Sequence, residues 1–233
     1  MITEEEFYFS SGSMRLAGIL GYPDTGQPQS IILLCGPHPN FAGNMDNNVI
    51  RGLFDDLAKH SLVLRFDYRG IGGSEIQLRD GVSKYDYWNE VEERKRYEEI
   101  VGDVRSALNA LQLLSPKVPV HIVGYSFGAI TGLLAGIELE CVHTLIGISP
   151  PLLRYSFDFL QTCRKPCLLL SGRNDFVFTD DPSHGSFHWP PCVKQMILDG
   201  EDHFFRGREF IVVDQVLKFL NSGFTIGSIR SSP

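Results

Sequence analysis

The sequence lacks the features that would direct it to a membrane, to nucleic acid or to a metal. No apolar run approaches the roughly 20 residues needed to cross a bilayer. Basic residues are in the minority, 21 Lys and Arg against 28 Asp and Glu for a net charge of −7, which argues against nucleic acid or an anionic membrane as the main partner, since either needs a basic face. The five cysteines (Cys35, Cys141, Cys163, Cys167, Cys192) are odd in number and without close pairing, the usage expected of free thiols in a reducing compartment. Cys163 and Cys167 have no further cysteine or histidine at zinc spacing and read as packing residues. His184 and His188 stand four apart near Asp181, but the glutamate of an H-E-x-x-H motif is missing, so neither a metal nor a cofactor is expected.

Two further absences concern organisation. Nothing in the first 220 residues resembles a linker, so residues 1–222 read as one domain and residues 223–233 as a polar tail. Glu4, Glu5 and Glu6 stand where a secretory leader would be basic and then apolar, and the expected location is the cytoplasm. Hydrophobic residues at 43% against 21% charged are enough for a sizeable core.

What is present is organised around residues 118–139. Val118, Val120, Ile122 and Val123 read as a buried strand, Gly124-Tyr125-Ser126-Phe127-Gly128 follows at once, and Ile130, Leu133, Leu134 and Ile137 then recur with helical period. A serine on a sharp turn between strand and helix needs neighbours without side chains at the flanking positions, and its hydroxyl then stands beside the helix N-terminus, where N–H groups stabilise developing negative charge. The bare G-x-S-x-G spacing is a weak signal, because 23 of the 233 residues are glycine. Gly223-Phe224-Thr225-Ile226-Gly227 repeats the spacing with threonine, but neither strand nor helix flanks it, and it reads as tail. Gly128, Gly132 and Gly136, every fourth residue of the helix, point to close packing on a sheet.

Along the rest of the chain, residues 7–10 and 16–21 read as an antiparallel hairpin at a sheet edge. Residues 31–35, 62–66, 144–148, 167–171 and 194–198 read as further strands. Helices are expected from Val49 to near His60, after Glu90 through Leu111, near residues 181–189 and at 210–220. One crossover helix is expected in the fifteen or so residues after Pro151. Glu90 with Arg94 and Glu92 with Arg96 have the spacing of helical ion pairs. Residues 82–88, carrying Tyr85, Tyr87 and Trp88, are either the start of that helix or a flap over a pocket. After residues 62–66 the run Asp67-Tyr68-Arg69-Gly70-Ile71-Gly72-Gly73-Ser74 ends in Glu75, where a dinucleotide fingerprint requires its third glycine. Strands alternating with helices imply a mostly parallel, doubly wound α/β sheet of about eight strands with helices on both faces. Such a sheet carries its site at the C-terminal strand ends. Ser126, Asp175, His203 and the His38 loop all follow strands and so fall on one edge.

On these motifs, together with Ser171-Gly172-Arg173-Asn174-Asp175 and Asp199-Gly200-Glu201-Asp202-His203-Phe204-Phe205, nearly the whole chain resembles an α/β-hydrolase of the small esterase and serine aminopeptidase-like kind. The order Ser, Asp, His is the order that fold uses. The resemblance implies Ser126 as nucleophile, His203 as base and then acid, and Asp175 orienting the imidazole. His121 and His143 lie in or beside strands and read as core or edge residues, and His60 as a solvated helix end. Asp175 competes with Asp180, Asp181 and Asp199 and is preferred because it directly follows a buried strand. The oxyanion hole is expected to use the N–H of Phe127 and a donor from the loop after Cys35. Pro37 and Pro39 have no N–H, which leaves Asn40, with Phe41 next, while His38 reads as structural to its loop. No large cap is evident. The implied activity is hydrolysis of a small carboxylic ester through an acyl-enzyme. Thioester, amide or acyl-transfer chemistry would use the same residues, and a member that binds ligands without turnover is the alternative of another class.

Overall fold

The computed structural model describes residues 1–41, 43–115, 117–178 and 188–222. Eight strands form one sheet: β1 (Ile2–Ser11), β2 (Met14–Pro23), β3 (Ile31–Cys35), β4 (Leu62–Phe66), β5 (Val120–Tyr125), β6 (Val142–Ile148), β7 (Cys167–Gly172) and β8 (Val193–Leu198), in the order β1-β2-β4-β3-β5-β6-β7-β8. The β1–β2 and β2–β4 pairs are antiparallel and every other pair is parallel. The hairpin thus occupies one edge, as its loose alternation implies.

The strands predicted at residues 31–35 and 62–66 appear with those bounds, because each is a continuous apolar run buried on both faces. Alternate residues feed two cores. Ile31, Leu33, Leu64, Ile122 and Leu145 pack on one side with α3 (Glu98–Leu114) and α4 (Phe127–Gly136), while Ile32, Leu34, Val63, Val123 and Ile146 pack on the other with α1 (Asn48–Leu57) and α5 (Glu209–Asn221). Each such side chain contributes about 1.5–3 kcal/mol relative to exposure.

Two expected elements differ. The single helix expected after Glu90 is two: α2 (Lys84–Arg94) begins behind a Ser83–Asp86 capping box, and the chain turns left-handed at Lys95 (φ 52°) before α3. Tyr85, Tyr87 and Trp88 therefore lie on α2; Trp88 is buried and donates Nε1–H to the Arg69 carbonyl at 3.3 Å. Of the two charge pairs, Glu90–Arg94 forms at 3.1 Å, whereas α2 ends before Arg96 and Glu92 pairs with Lys95 at 3.0 Å. Between β6 and β7 the expected crossover helix is a short 3-10 helix, Asp158–Thr162. The residues 149–166 that make this connection hold no separate cap. The helix expected near 181–189 falls outside the described residues except at His188 and Trp189, which are not helical, and Asp180, Asp181, His184 and the tail 223–233 also lie outside them. Among the described residues no helix is long and apolar enough to cross a membrane.

Buried polar groups fasten the antiparallel edge to the helices. Arg69 donates Nε–H to Asp103 Oδ2 at 2.7 Å and Nη2–H to Oδ1 at 2.8 Å, Ser11 Oγ adds a 2.6 Å bond to Oδ1, and Glu99 completes the ring around the guanidinium. Asp103 is fully buried on α3.

Candidate active site

Ser126 is the residue between β5 and α4, held at φ 55°, ψ −117°. A non-glycine residue there costs on the order of 1–3 kcal/mol, and the surrounding backbone enforces it. Ser126 N–H donates to the Ile148 carbonyl at 2.8 Å, and its own carbonyl accepts from Ala129 N–H at 2.9 Å. The two flanking glycines are required by close approach: a Cβ at Gly124 would stand 2.0 Å from the Gly128 carbonyl oxygen, and one at Gly128 would stand 2.0 Å from that of Cys35.

The other two predicted side chains reach the serine from β7 and β8. A Cβ at Gly172 would stand 2.4 Å from the Glu201 carbonyl oxygen, so the loops after these strands run in contact and bring their side chains together. His203 Nε2 lies 3.1 Å from Ser126 Oγ, and His203 Nδ1 lies 2.9 and 3.0 Å from the two Asp175 oxygens. Asp175 Oδ1 also accepts Val177 N–H at 3.0 Å, which fixes the carboxylate plane. Both residues are buried, Asp175 at 3% and His203 at 6% exposure. With Nδ1–H donated to Asp175, Nε2 is left as an acceptor toward the serine hydroxyl.

Sequence reasoning missed the residue that carries the histidine loop. Tyr125, inside the elbow motif, donates its hydroxyl to the His203 carbonyl at 2.9 Å, and burial pushes the phenol well above its ordinary range, so it stays a donor. Tyr125→Phe leaves that buried carbonyl unpaired and should lower stability by about 1–2 kcal/mol. Urea titration checks this, and an unchanged midpoint would contradict the assigned contact.

The N–H groups expected to supply the second oxyanion donor are engaged within their own loop. Asn40 N–H donates to His38 Nδ1 at 3.2 Å, its side chain is held by Tyr85 O and Asn89 Oδ1, and Phe41 N–H is taken by the His38 carbonyl at 2.9 Å. Neither is free to meet a substrate. The His38 N–H makes no hydrogen bond to any described residue, and His38 lies against Phe127 with ring centroids 4.9 Å apart. Phe127 N–H is the first of α4 and has no acceptor within the helix. Tyr68 steadies this loop by donating to Gly36 O at 3.2 Å.

Burial also governs the His38 ring. It pushes the ring's pKa from the ordinary 6.5 down to about 4, and burial followed by the nearby His143 does the same to His121 on β5. Because the folded values lie below 6.5, the unfolded chain binds more protons between pH 6.5 and 4. The full contribution is therefore present above pH 6.5 and is lost as pH falls toward 4. By pH 5 the stability lost through His38 alone is on the order of 2 kcal/mol, so the urea midpoint at pH 5 should lie clearly below that at pH 7.5. Equal midpoints would contradict the neutral, buried ring.

Ser126, His203, His38 and Phe127 line one cavity of about 400 Å³ at the C-terminal strand ends. Its walls are aromatic: Phe127, Tyr155, Phe41, Phe176 and Phe204. Glu92 enters from α2; burial would raise its carboxyl, but hydrogen bonds from Tyr155 and Lys95 outweigh that and hold it below its ordinary value. Among the described residues no group of three or more His, Cys, Asp or Glu is placed to hold a metal ion.

A family model described as alpha/beta hydrolase fold matches residues 38–151, across the elbow and its flanking elements. This chain has the α/β-hydrolase fold. An α/β-hydrolase-fold structure from Coxiella burnetii, described as an alpha-beta serine hydrolase homologue, superposes with a TM-score of 0.75 at 23% identity, over 93% of this chain and 97% of that one. XC6422 from Xanthomonas campestris, described as a serine hydrolase without lid, superposes at 0.74 with 20% identity, over 94% of each chain. The uncharacterized protein RP471 of Rickettsia prowazekii is 29% identical over 215 residues, 86% of this chain and 82% of that protein.

Proposed function

We propose that this protein is a serine hydrolase that cleaves a small carboxylic ester through an acyl-enzyme. The observation that carries the reading is the continuous hydrogen-bonded line Asp175–His203–Ser126, with contacts of 2.9 and 3.1 Å at the wall of a cavity. His203 takes the Ser126 proton as Oγ attacks the ester carbonyl, and Asp175 stabilises the imidazolium so formed. The oxyanion is met by Phe127 N–H and by His38 N–H. Collapse of the tetrahedral species expels the alcohol, protonated by His203. Water, deprotonated by the same imidazole, then attacks the acyl-serine and releases the acid and Ser126.

A small, accessible substrate is favoured because the cavity mouth is formed by exposed side chains such as Phe41 (60%) and Phe176 (63%), without an enclosing cap among the described residues. The wild type should hydrolyse p-nitrophenyl acetate or butyrate, and Ser126→Ala should return the rate to background. A folded wild type inactive on acyl esters, thioesters and aminoacyl arylamides alike would contradict the reading.

A further inference from the structure

The charge lining the cavity is opposite in sign to the charge of the protein. The chain carries a net −7, yet the charged side chains at the cavity are two arginines, Arg154 and Arg206, against Glu92, apart from Asp175, which is held behind His203. Glu92 is occupied by Tyr155 and by Lys95 at 3.0 Å, and Arg154 approaches it only at 3.5 Å with a single nitrogen. Arg206 has no carboxylate partner among the described residues, although neighbouring cations do: Arg208 pairs with Glu201 at 2.6 Å and Arg173 with Asp199 at 2.5 Å.

Both guanidinium groups are positioned in the same way. Arg154 lies over the Phe41 ring at 5.5 Å and Arg206 over the Phe204 ring at 5.3 Å, and all four residues line the cavity. A guanidinium seated on an aromatic face loses orientational freedom while its in-plane N–H groups stay available, the geometry that a carboxylate or phosphate meets with two parallel hydrogen bonds. The loop that carries Arg206 is itself tied down. Asn48 donates to Phe204 O at 2.9 Å, and Asp202 Oδ1 accepts the N–H groups of Phe204 and Phe205 at 2.8 and 3.1 Å.

From these placements we infer that the substrate is an ester carrying an anionic oxygen group, with its apolar part against the aromatic walls and its anion held by Arg206 and Arg154 at the mouth. The inference rests on the hydrolase reading and adds the class of substrate to it. The anion stands on either the acyl or the alcohol side of the scissile bond, and one pair of substrates probes each. p-Nitrophenyl hydrogen adipate is compared with p-nitrophenyl hexanoate, and 4-acetoxybenzoate with its methyl ester, spontaneous hydrolysis being subtracted.

The wild type should favour the anionic member of at least one pair by about tenfold or more in kcat/KM, as expected for charge-assisted hydrogen bonds, and the preference should shrink as salt is raised. Arg154→Gln with Arg206→Gln should bring that ratio to within about twofold, and Arg206→Lys, which keeps the charge without the planar fork, should restore only part of it. A wild type that is labelled at Ser126 by a fluorophosphonate and turns over the neutral esters at least as fast as the anionic ones overturns this inference and leaves the hydrolase reading standing. A preference that survives both substitutions overturns the arginine assignment. Absence of labelling together with absence of turnover overturns both readings.

Discussion

His203→Ala should lower kcat for a p-nitrophenyl ester by about 10⁴-fold or more with the fold intact. The imidazole is the one base hydrogen-bonded to Ser126 Oγ among the described residues, at 3.1 Å, and without it the hydroxyl must ionise unaided. The ring is nearly buried but sits on a cavity wall, so its removal enlarges an existing space instead of opening a new void in the core. The variant should therefore keep its circular dichroism spectrum and melt within a few degrees of the wild type. Asp175→Asn should be impaired to a similar extent for another reason: an amide that donates to Nδ1 reverses the tautomer and turns Nε2–H toward the serine. Loss of less than about tenfold in either variant would mean that the line of hydrogen bonds is structural.

Asp103→Ala should cost about 3–5 kcal/mol, a large share of the 5–15 kcal/mol that stabilises a typical domain. The substitution strips Arg69 of two hydrogen bonds, at 2.7 and 2.8 Å, and leaves the guanidinium beneath α3 with Glu99 as its remaining carboxylate. Ser11 Oγ loses its acceptor in the same step, which loosens the β1–β2 hairpin from the helix layer. For a chain of this size the melting temperature should fall by on the order of 10 °C. Replacing both partners by apolar residues of similar volume, Arg69→Met with Asp103→Leu, should recover much of the loss, because the penalty lies in the orphaned charge and not in the absent pair. Thermal melts of the single and double variants check both statements.

Much of this architecture can be read from the chain, and the exceptions have physical causes. Strands β3 and β4 are legible because sheet burial on both faces demands an unbroken apolar run. Ser126 is legible because two glycines at close contacts leave little alternative to an elbow. The break between α2 and α3 is hidden, since Lys95 takes a left-handed conformation that glycine usually marks. The connection after β6 has helical length, yet only the 3-10 helix Asp158–Thr162 forms in it. The Arg69–Asp103 pair joins residues 34 apart with no local pattern.

The oxyanion loop offers the most instructive difference. Taking His38 as the counterpart of a histidine that precedes the donor moves the assignment two residues along, to Asn40 and then Phe41, whose N–H groups are spent on His38 itself. The proposed His38 donor has a sequence signal of its own: in Pro37-His38-Pro39 both prolines lack an N–H, and His38 is the one donor between them. The arginines of the cavity mouth carry no such signal, because each matters only through the phenylalanine beneath it.

Mass spectrometry of the wild-type protein after brief exposure to a fluorophosphonate tests the central claim most directly. The account predicts one adduct per chain, located on the peptide that contains Ser126 and absent from both Ser126→Ala and heat-denatured protein. An unmodified, correctly folded chain, or an adduct at any other serine, would contradict it.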